Sequence, residues 1–78
     1  EINKENNEGK TPIFKACKSG NIDLVKYLIR EGGDISKEKK DGKTPIFHAC
    51  QSGNEYLVKY LIKYGLDINK EDNDGKTP

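Results

Sequence analysis

Residues 9–41 read GKTPIFKACKSGNIDLVKYLIREGGDISKEKKD, and residues 42–74 read GKTPIFHACQSGNEYLVKYLIKYGLDINKEDND. Aligned without a gap, the two stretches agree at 23 of 33 positions, far more than shared composition produces. GKTP begins again at residues 75–78, and Ile2, Lys4 and Glu5 match Ile35, Lys37 and Glu38, then Ile68, Lys70 and Glu71. Residues 1–78 are therefore expected to form a single tandem-repeat segment. It comprises the end of a preceding repeat (1–8), repeats at 9–41 and 42–74, and the start of a following one (75–78).

Each repeat carries its own punctuation. Thr11-Pro12 and Thr44-Pro45 read as helix starts, the threonine hydroxyl offered as a cap and the proline placed where no N–H is needed. The first helix is expected to run about two turns, through Ile46, Phe47, Ala49 and Cys50, to Gly53, which tolerates the left-handed conformation that ends it. Asn54 then caps a second helix, in which Leu57, Val58, Leu61 and Ile62 form one apolar stripe before Gly65. Leu24, Val25, Leu28, Ile29 and Gly32 repeat that pattern. The polar segments KEKKDG and KEDNDG end in Asp-Gly, the signal of a tight hairpin turn. A unit of hairpin, helix and helix has one apolar side too many to bury alone, so the next copy must cover it.

From Gly42 to Asn69 the repeat GKTPIFHACQSGNEYLVKYLIKYGLDIN resembles the ankyrin repeat, from its Gly-x-Thr-Pro-Leu opening to its Gly-Ala-Asp-Val-Asn close. The resemblance covers the whole chain. It implies a mainly α ankyrin repeat solenoid, with a β-hairpin or turn plus an antiparallel helix pair in every 33-residue repeat. It also implies a scaffold for protein–protein interaction, with no catalysis and no cofactor. Phe14 and Phe47 depart from the family, which usually places there a His that ties neighbouring turns together; apolar packing is expected to replace that link. Gly33, Leu66, Cys17 and Cys50 stand where the family has Ala, and none threatens the fold.

Other chemistries fail on spacing. Gly-Lys-Thr suggests a phosphate-binding loop, but that signature needs a glycine where Lys4, Lys37 and Lys70 stand. Lys70, Asp72, Asp74 and Gly75 approach a calcium loop, yet a lysine holds the first ligand position. Cys17 and Cys50 occupy one position in successive repeats, whose helices stack roughly 8–10 Å apart, beyond the about 7 Å between Cα atoms that a disulfide allows. His48 alone cannot complete a zinc site, and no nucleophile–base pair is present. Fourteen basic against thirteen acidic residues leave a net charge of +1, which steers the chain to neither nucleic acid nor an anionic membrane. No apolar run approaches the roughly 20 residues of a transmembrane helix. EINKENNEGK lacks a signal-peptide centre, so a soluble chain is expected. Two cysteines and no Asn-x-Ser/Thr acceptor fit a reducing, intracellular and cytoplasmic setting. The start at Glu1 and the absence of Met point to part of something longer.

The ten positions that differ between the copies are where specificity can reside, and they include Lys15/His48, Lys18/Gln51, Lys39/Asp72 and Lys40/Asn73. By resemblance, hairpin tips and the exposed side of the first helix line a concave groove. That implies partner contacts at Asn7, Glu8, Lys10, Lys15, Lys18, Lys40, Asp41, Lys43, His48, Gln51, Asn73, Asp74 and Lys76. The middle of this groove is basic. Lys15, Lys18, Lys39, Lys40 and Lys43 suit an acidic protein partner, with Glu5, Glu8, Glu71, Asp72 and Asp74 rejecting misregistered ones; the plainer reading is a solvated lysine face. Tyr56, Tyr60 and Tyr64 form a stripe at four-residue spacing, readable as an interface or as intrahelical stacking. Leu61, Asp67, Ile68 and Asn69 are similar to the pattern that asparaginyl hydroxylases accept in ankyrin repeats, which makes Asn69 a candidate for modification. The alternative function is a structural spacer or self-stacking segment without a client, associating end to end through uncapped repeats.

Overall fold

The computed structural model describes residues 2–78. Four helices follow one another: α1 (Pro12–Ser19), α2 (Ile22–Arg30), α3 (Pro45–Ser52) and α4 (Glu55–Lys63). Each pair folds back on itself, α1 on α2 and α3 on α4, and α1 packs along α3 to join the two repeats.

Proline occupies the first turn of α1 and α3 as expected, and Thr11 and Thr44 stand at the N-caps in extended backbone conformation. Their hydroxyls, however, cap nothing. Proline brings no N–H, and the amides of Phe14 and Phe47 already donate to the threonine carbonyls at 3.1 and 3.0 Å. The side chains are buried instead. Asparagine performs the capping on the other helices: Asn21 Oδ1 accepts from the Leu24 amide, and Asn54 Oδ1 from those of Tyr56 and Leu57. Asn54 also donates from Nδ2 to the Gly20 carbonyl at 2.7 Å, so one side chain starts a helix and binds two repeats together.

The core is a single cluster. Ile13, Phe14, Ala16 and Cys17 from α1 meet Ile46, Phe47 and Ala49 from α3, with Val25, Leu28, Leu57 and Leu61 from the second helices behind them. Phe14 and Phe47 are buried, at 1% and 5% exposure, as apolar packing residues. The tie between neighbouring turns, expected to pass to them, is made by main-chain amides and one asparagine side chain. The Lys40 amide donates to the Glu8 carbonyl at 3.0 Å, the Asn73 amide to Asp41 at 2.8 Å, and Asn73 Nδ2 to Lys40 at 2.8 Å.

The hairpins reduce to turns, with no strand among the described residues. Each tip is closed by a cross-bond, from the amides of Asn6, Lys39 and Asp72 to the carbonyls of Lys10, Lys43 and Lys76, and by a second bond inside it, from the amides of Gly9, Gly42 and Gly75 to the carbonyls of Asn6, Lys39 and Asp72. Asn6 Oδ1 and Asp72 Oδ1 each accept two amides within their own tips. Lys39, at the same place in the middle tip, cannot accept. Asp41 takes over one of those bonds, from the Lys43 amide, and pairs with Lys39 Nζ at 3.4 Å. Between tips and helices, Lys37 pairs with Glu5 at 2.6 Å and Lys70 with Glu38 at 3.3 Å, the same Lys-Glu step of consecutive repeats. Such exposed pairs are worth about 0.2–1 kcal/mol each. Their use is to reject a slipped register.

Two comparisons test these devices. Asn54→Ala loses a cap and the bond to Gly20 and is expected to cost about 1–2 kcal/mol more than Asn21→Ala, which loses a cap alone, in urea unfolding. Gly42 has φ +84°, and an added Cβ would lie 2.8 Å from the Asn73 amide nitrogen; Gly53, at φ +76°, has nothing within 4 Å of that position. Gly53→Ala is expected to cost about 1–2 kcal/mol for the left-handed backbone alone, and Gly42→Ala measurably more because the neighbouring tip must also move.

Candidate functional site

The expected contact residues fall on the tips and on α1 and α3, not all at the same depth. Asn7, Glu8, Lys40, Asp41, Asn73, Asp74 and Lys76 are exposed on the tips; Lys10 and Lys43 are half-buried at their bases. Lys15 and Lys18 on α1 and Gln51 on α3 are exposed.

Three residues lie differently from expectation. His48, expected on the exposed side of the first helix, is only 6% exposed. Its ring meets Phe14 edge-on at 5.8 Å, and Nδ1 is 3.2 Å from Gln51 Oε1. The matching Lys15 has no described helix beside it, whereas His48 has α1. Lys39, expected to face an acidic partner, keeps only 10% of its side chain exposed and is occupied by Asp41. Asp72, expected to repel wrong registers, is buried with Oδ1 turned to the amides of its own tip.

Two cavities include some of these residues in their walls. The larger, about 600 Å³, is lined by Asn6, Lys10, Thr11, Pro12, Phe14, Lys15, Lys18, Ser19 and His48. The smaller, about 380 Å³, is lined by Lys43, Phe47, Cys50, Gln51, Asp72, Lys76, Thr77 and Pro78. They are related by the repeat, Lys10 matching Lys43, Phe14 Phe47 and Lys18 Gln51. The first unites four of the expected residues, Lys10, Lys15, Lys18 and His48, and the second three, Lys43, Gln51 and Lys76. The tip residues Asn7, Glu8, Lys40, Asp41, Asn73 and Asp74 line neither. Sequence reasoning missed Asn6, Thr11, Pro12, Phe14 and Ser19. Phe14 and Thr11 read as core and cap, and only the open side of α1 turns them into walls.

Electrostatics separate the two ends of the site. No acidic side chain lines the larger cavity, while Asp72 lines the smaller. Burial, reinforced by the positive charge of Lys39, Lys10 and Lys43, holds the His48 imidazole below its ordinary range, against a smaller opposing effect of Gln51. For Asp41, slight desolvation is outweighed by the Lys43 amide and the Lys39 ammonium, which lower its carboxyl. Burial pushes the Cys17 thiol up to about 12 and raises Cys50 as well, so neither offers a thiolate nucleophile near neutral pH. Among the described residues, no group of three or more His, Cys, Asp and Glu is placed to hold a metal ion, and no helix is long and apolar enough to cross a membrane.

The outer helices answer the tyrosine question in part. The Tyr60 and Tyr64 rings meet at a tilt of 51° with centroids 4.9 Å apart, and Lys26 Nζ lies 5.2 Å from the centre of the Tyr60 ring, while Tyr56 is 77% exposed. Asn69 is exposed, its amide donating to Asp67 Oδ1. Two repeats earlier in register, Asn3 bridges the Gly32 carbonyl and the Asp34 amide, and Ser36, one repeat earlier, turns its hydroxyl to Asp34 instead. Asn3 is thus a staple between successive loops.

The family model described as ankyrin repeats (3 copies) matches residues 1–78. No curated protein matches the chain. Because His48 is held neutral by the fold, the unfolded chain takes up its proton first as pH falls below about 6.5, and stability is lost through that range. Urea midpoints are expected to fall between about pH 7.5 and about pH 5.5 in the native chain, and to fall less in His48→Phe.

Proposed function

Since the chain belongs to the ankyrin repeat family, whose repeats are generally protein–protein interaction modules, we propose that it binds an acidic partner protein through its tips and the open side of α1 and α3. The observation that carries this reading is the larger cavity, where three lysines gather with no acidic residue in the lining, and only Lys10 has a carboxylate near it, that of Glu8 at 3.7 Å. Clustered charge of one sign raises the rate of encounter with an oppositely charged surface and penalises like-charged ones. Lys40 and Lys43 extend the basic strip towards the second repeat, and Asn73, Asp74 and Lys76 close it with mixed charge. Specificity then rests on side chains that differ between the repeats, carried by backbone that does not.

The reading includes no cofactor, no catalytic step, no nucleic acid and no membrane, and it places the chain in an intracellular, cytoplasmic setting, where its two free thiols remain reduced. Under it the division into 1–8, 9–41, 42–74 and 75–78 describes one binding segment. Asn69 is its candidate modification site, checked by intact mass in cells that contain an asparaginyl hydroxylase. A spacer that stacks on another copy is the alternative. Cys50 is half-buried where Cys17 is fully buried, which marks the side such stacking would use.

The test pairs the full-length protein with a partner captured from its source cell. Lys40→Glu with Lys43→Glu is expected to weaken that partner about tenfold or more at low salt, and less as salt rises. Unchanged affinity, together with concentration-dependent self-association in sedimentation, supports the spacer instead.

A further inference from the structure

Two buried side-chain atoms, Thr11 Oγ1 and His48 Nε2, have no hydrogen-bond partner among the described residues. Both residues line the larger cavity. Buried polar atoms are rarely left unpaired, because desolvation without a compensating bond is costly. Two of them in the wall residues of one cavity indicate that a polar group belongs there, reached when the Thr11 and His48 side chains turn towards the opening, since neither atom is accessible to solvent in the free chain.

The charges say which kind. Lys10, Lys15 and Lys18 line the cavity, and the only other ionisable lining residue is His48 itself. With the Gln51 carbonyl accepting at Nδ1, the neutral ring carries its proton on Nδ1 and presents a lone pair at Nε2. Lys39, paired with Asp41, and Lys43, both on the turn before α3, and Lys10 on the turn before α1 add positive charge around the ring. These cations disfavour a second proton while the cavity is open. A negative group between them and the ring reverses that preference.

We propose that this cavity takes the carboxylate of a partner's Asp or Glu side chain, and that its entry places a proton from solvent on His48 Nε2, which then donates to the carboxylate beside the Thr11 hydroxyl. Nδ1 keeps its bond to Gln51, so the imidazolium has both donors satisfied. Burial, reinforced by the lysines, holds the ring neutral in the free protein, and the lysines attract the anion that protonates it. This deepens the binding reading above and rests on it: the acidic partner is recognised at one point by proton uptake, in addition to diffuse attraction.

The test uses the 78-residue chain with isotopically labelled histidine, titrated by NMR with a Glu hexapeptide and a Gln hexapeptide at matched salt. The Glu peptide is expected to move the His48 ring and Thr11 signals and to raise the His48 titration midpoint by about one unit. It should therefore bind about tenfold more tightly below the midpoint than above it. The Gln peptide should do neither, and Thr11→Val should weaken the Glu peptide several-fold at both ends of the titration. Binding of the Glu peptide with His48 unmoved and no pH dependence overturns the proposal, because the lysines then act alone, and leaves the protein-binding reading standing. A phosphoserine peptide that engages His48 where the Glu peptide does not overturns it in favour of phosphate. The wider reading falls separately, on the captured partner and the Lys40 and Lys43 variants.

Discussion

Each two-helix unit in this chain has apolar surface on both sides of its first helix, and only a neighbouring unit in the correct register can cover it. Ile13, Phe14, Ala16 and Cys17 are buried because α3 lies against them, and Ile46, Phe47 and Ala49 because α1 does. Burying one such side chain contributes about 1.5–3 kcal/mol. The helices themselves are eight or nine residues long, shorter than the about 12–15 residues an isolated helix needs to be even marginally stable in water. Packing between repeats therefore holds the helices, rather than formed helices being assembled afterwards.

Hydrophobic contact has no direction, and a stack of similar faces could slip. Polar groups supply the missing register. Asn54 reaches Gly20, Lys40 and Asn73 reach the carbonyls of the preceding tip, and Asn3 brackets the loop around Gly32 and Asp34. Lys37 with Glu5 and Lys70 with Glu38 repeat one ion pair at one offset. A shift by a single residue breaks all of them together while leaving the apolar contacts only partly worse. The same register is what brings His48 of one repeat to the cavity lined by Lys10, Lys15 and Lys18 of the other.

Most of the fold was legible because its signals are local and repeated. Thr-Pro, Gly-Asn and Asp-Gly mark starts and turns through backbone chemistry that neighbouring residues do not alter, and the Leu-Val…Leu-Ile stripe marks the buried side of the second helix. What escaped depends on who stands beside whom. Thr11 looked like a capping hydroxyl, but the Phe14 amide was already taken by its carbonyl. His48 and Lys15 share a position in the repeat and differ in burial because one has a helix next to it. Lys39 and Asp72 looked like free charges, yet the tip recruits Asp72 to bind its amides and leaves Lys39 to Asp41. The cavity itself arises between elements, so its unpaired atoms at Thr11 and His48 carry no mark in either residue's sequence neighbourhood.

Binding, on this account, is a property of the stack, since the walls of the cavity come from two repeats and vanish if they part. Native-state hydrogen exchange at the Lys40 and Asn73 amides tests that dependence most directly, because both donate across a repeat boundary. The account predicts that they exchange only in the opening that also exposes the amides of α1 and α3, with the same dependence on denaturant. Exchange of either amide by a separate, smaller opening, with α1 and α2 still protected while α3 and α4 are not, would show repeats that hold themselves and contradict it.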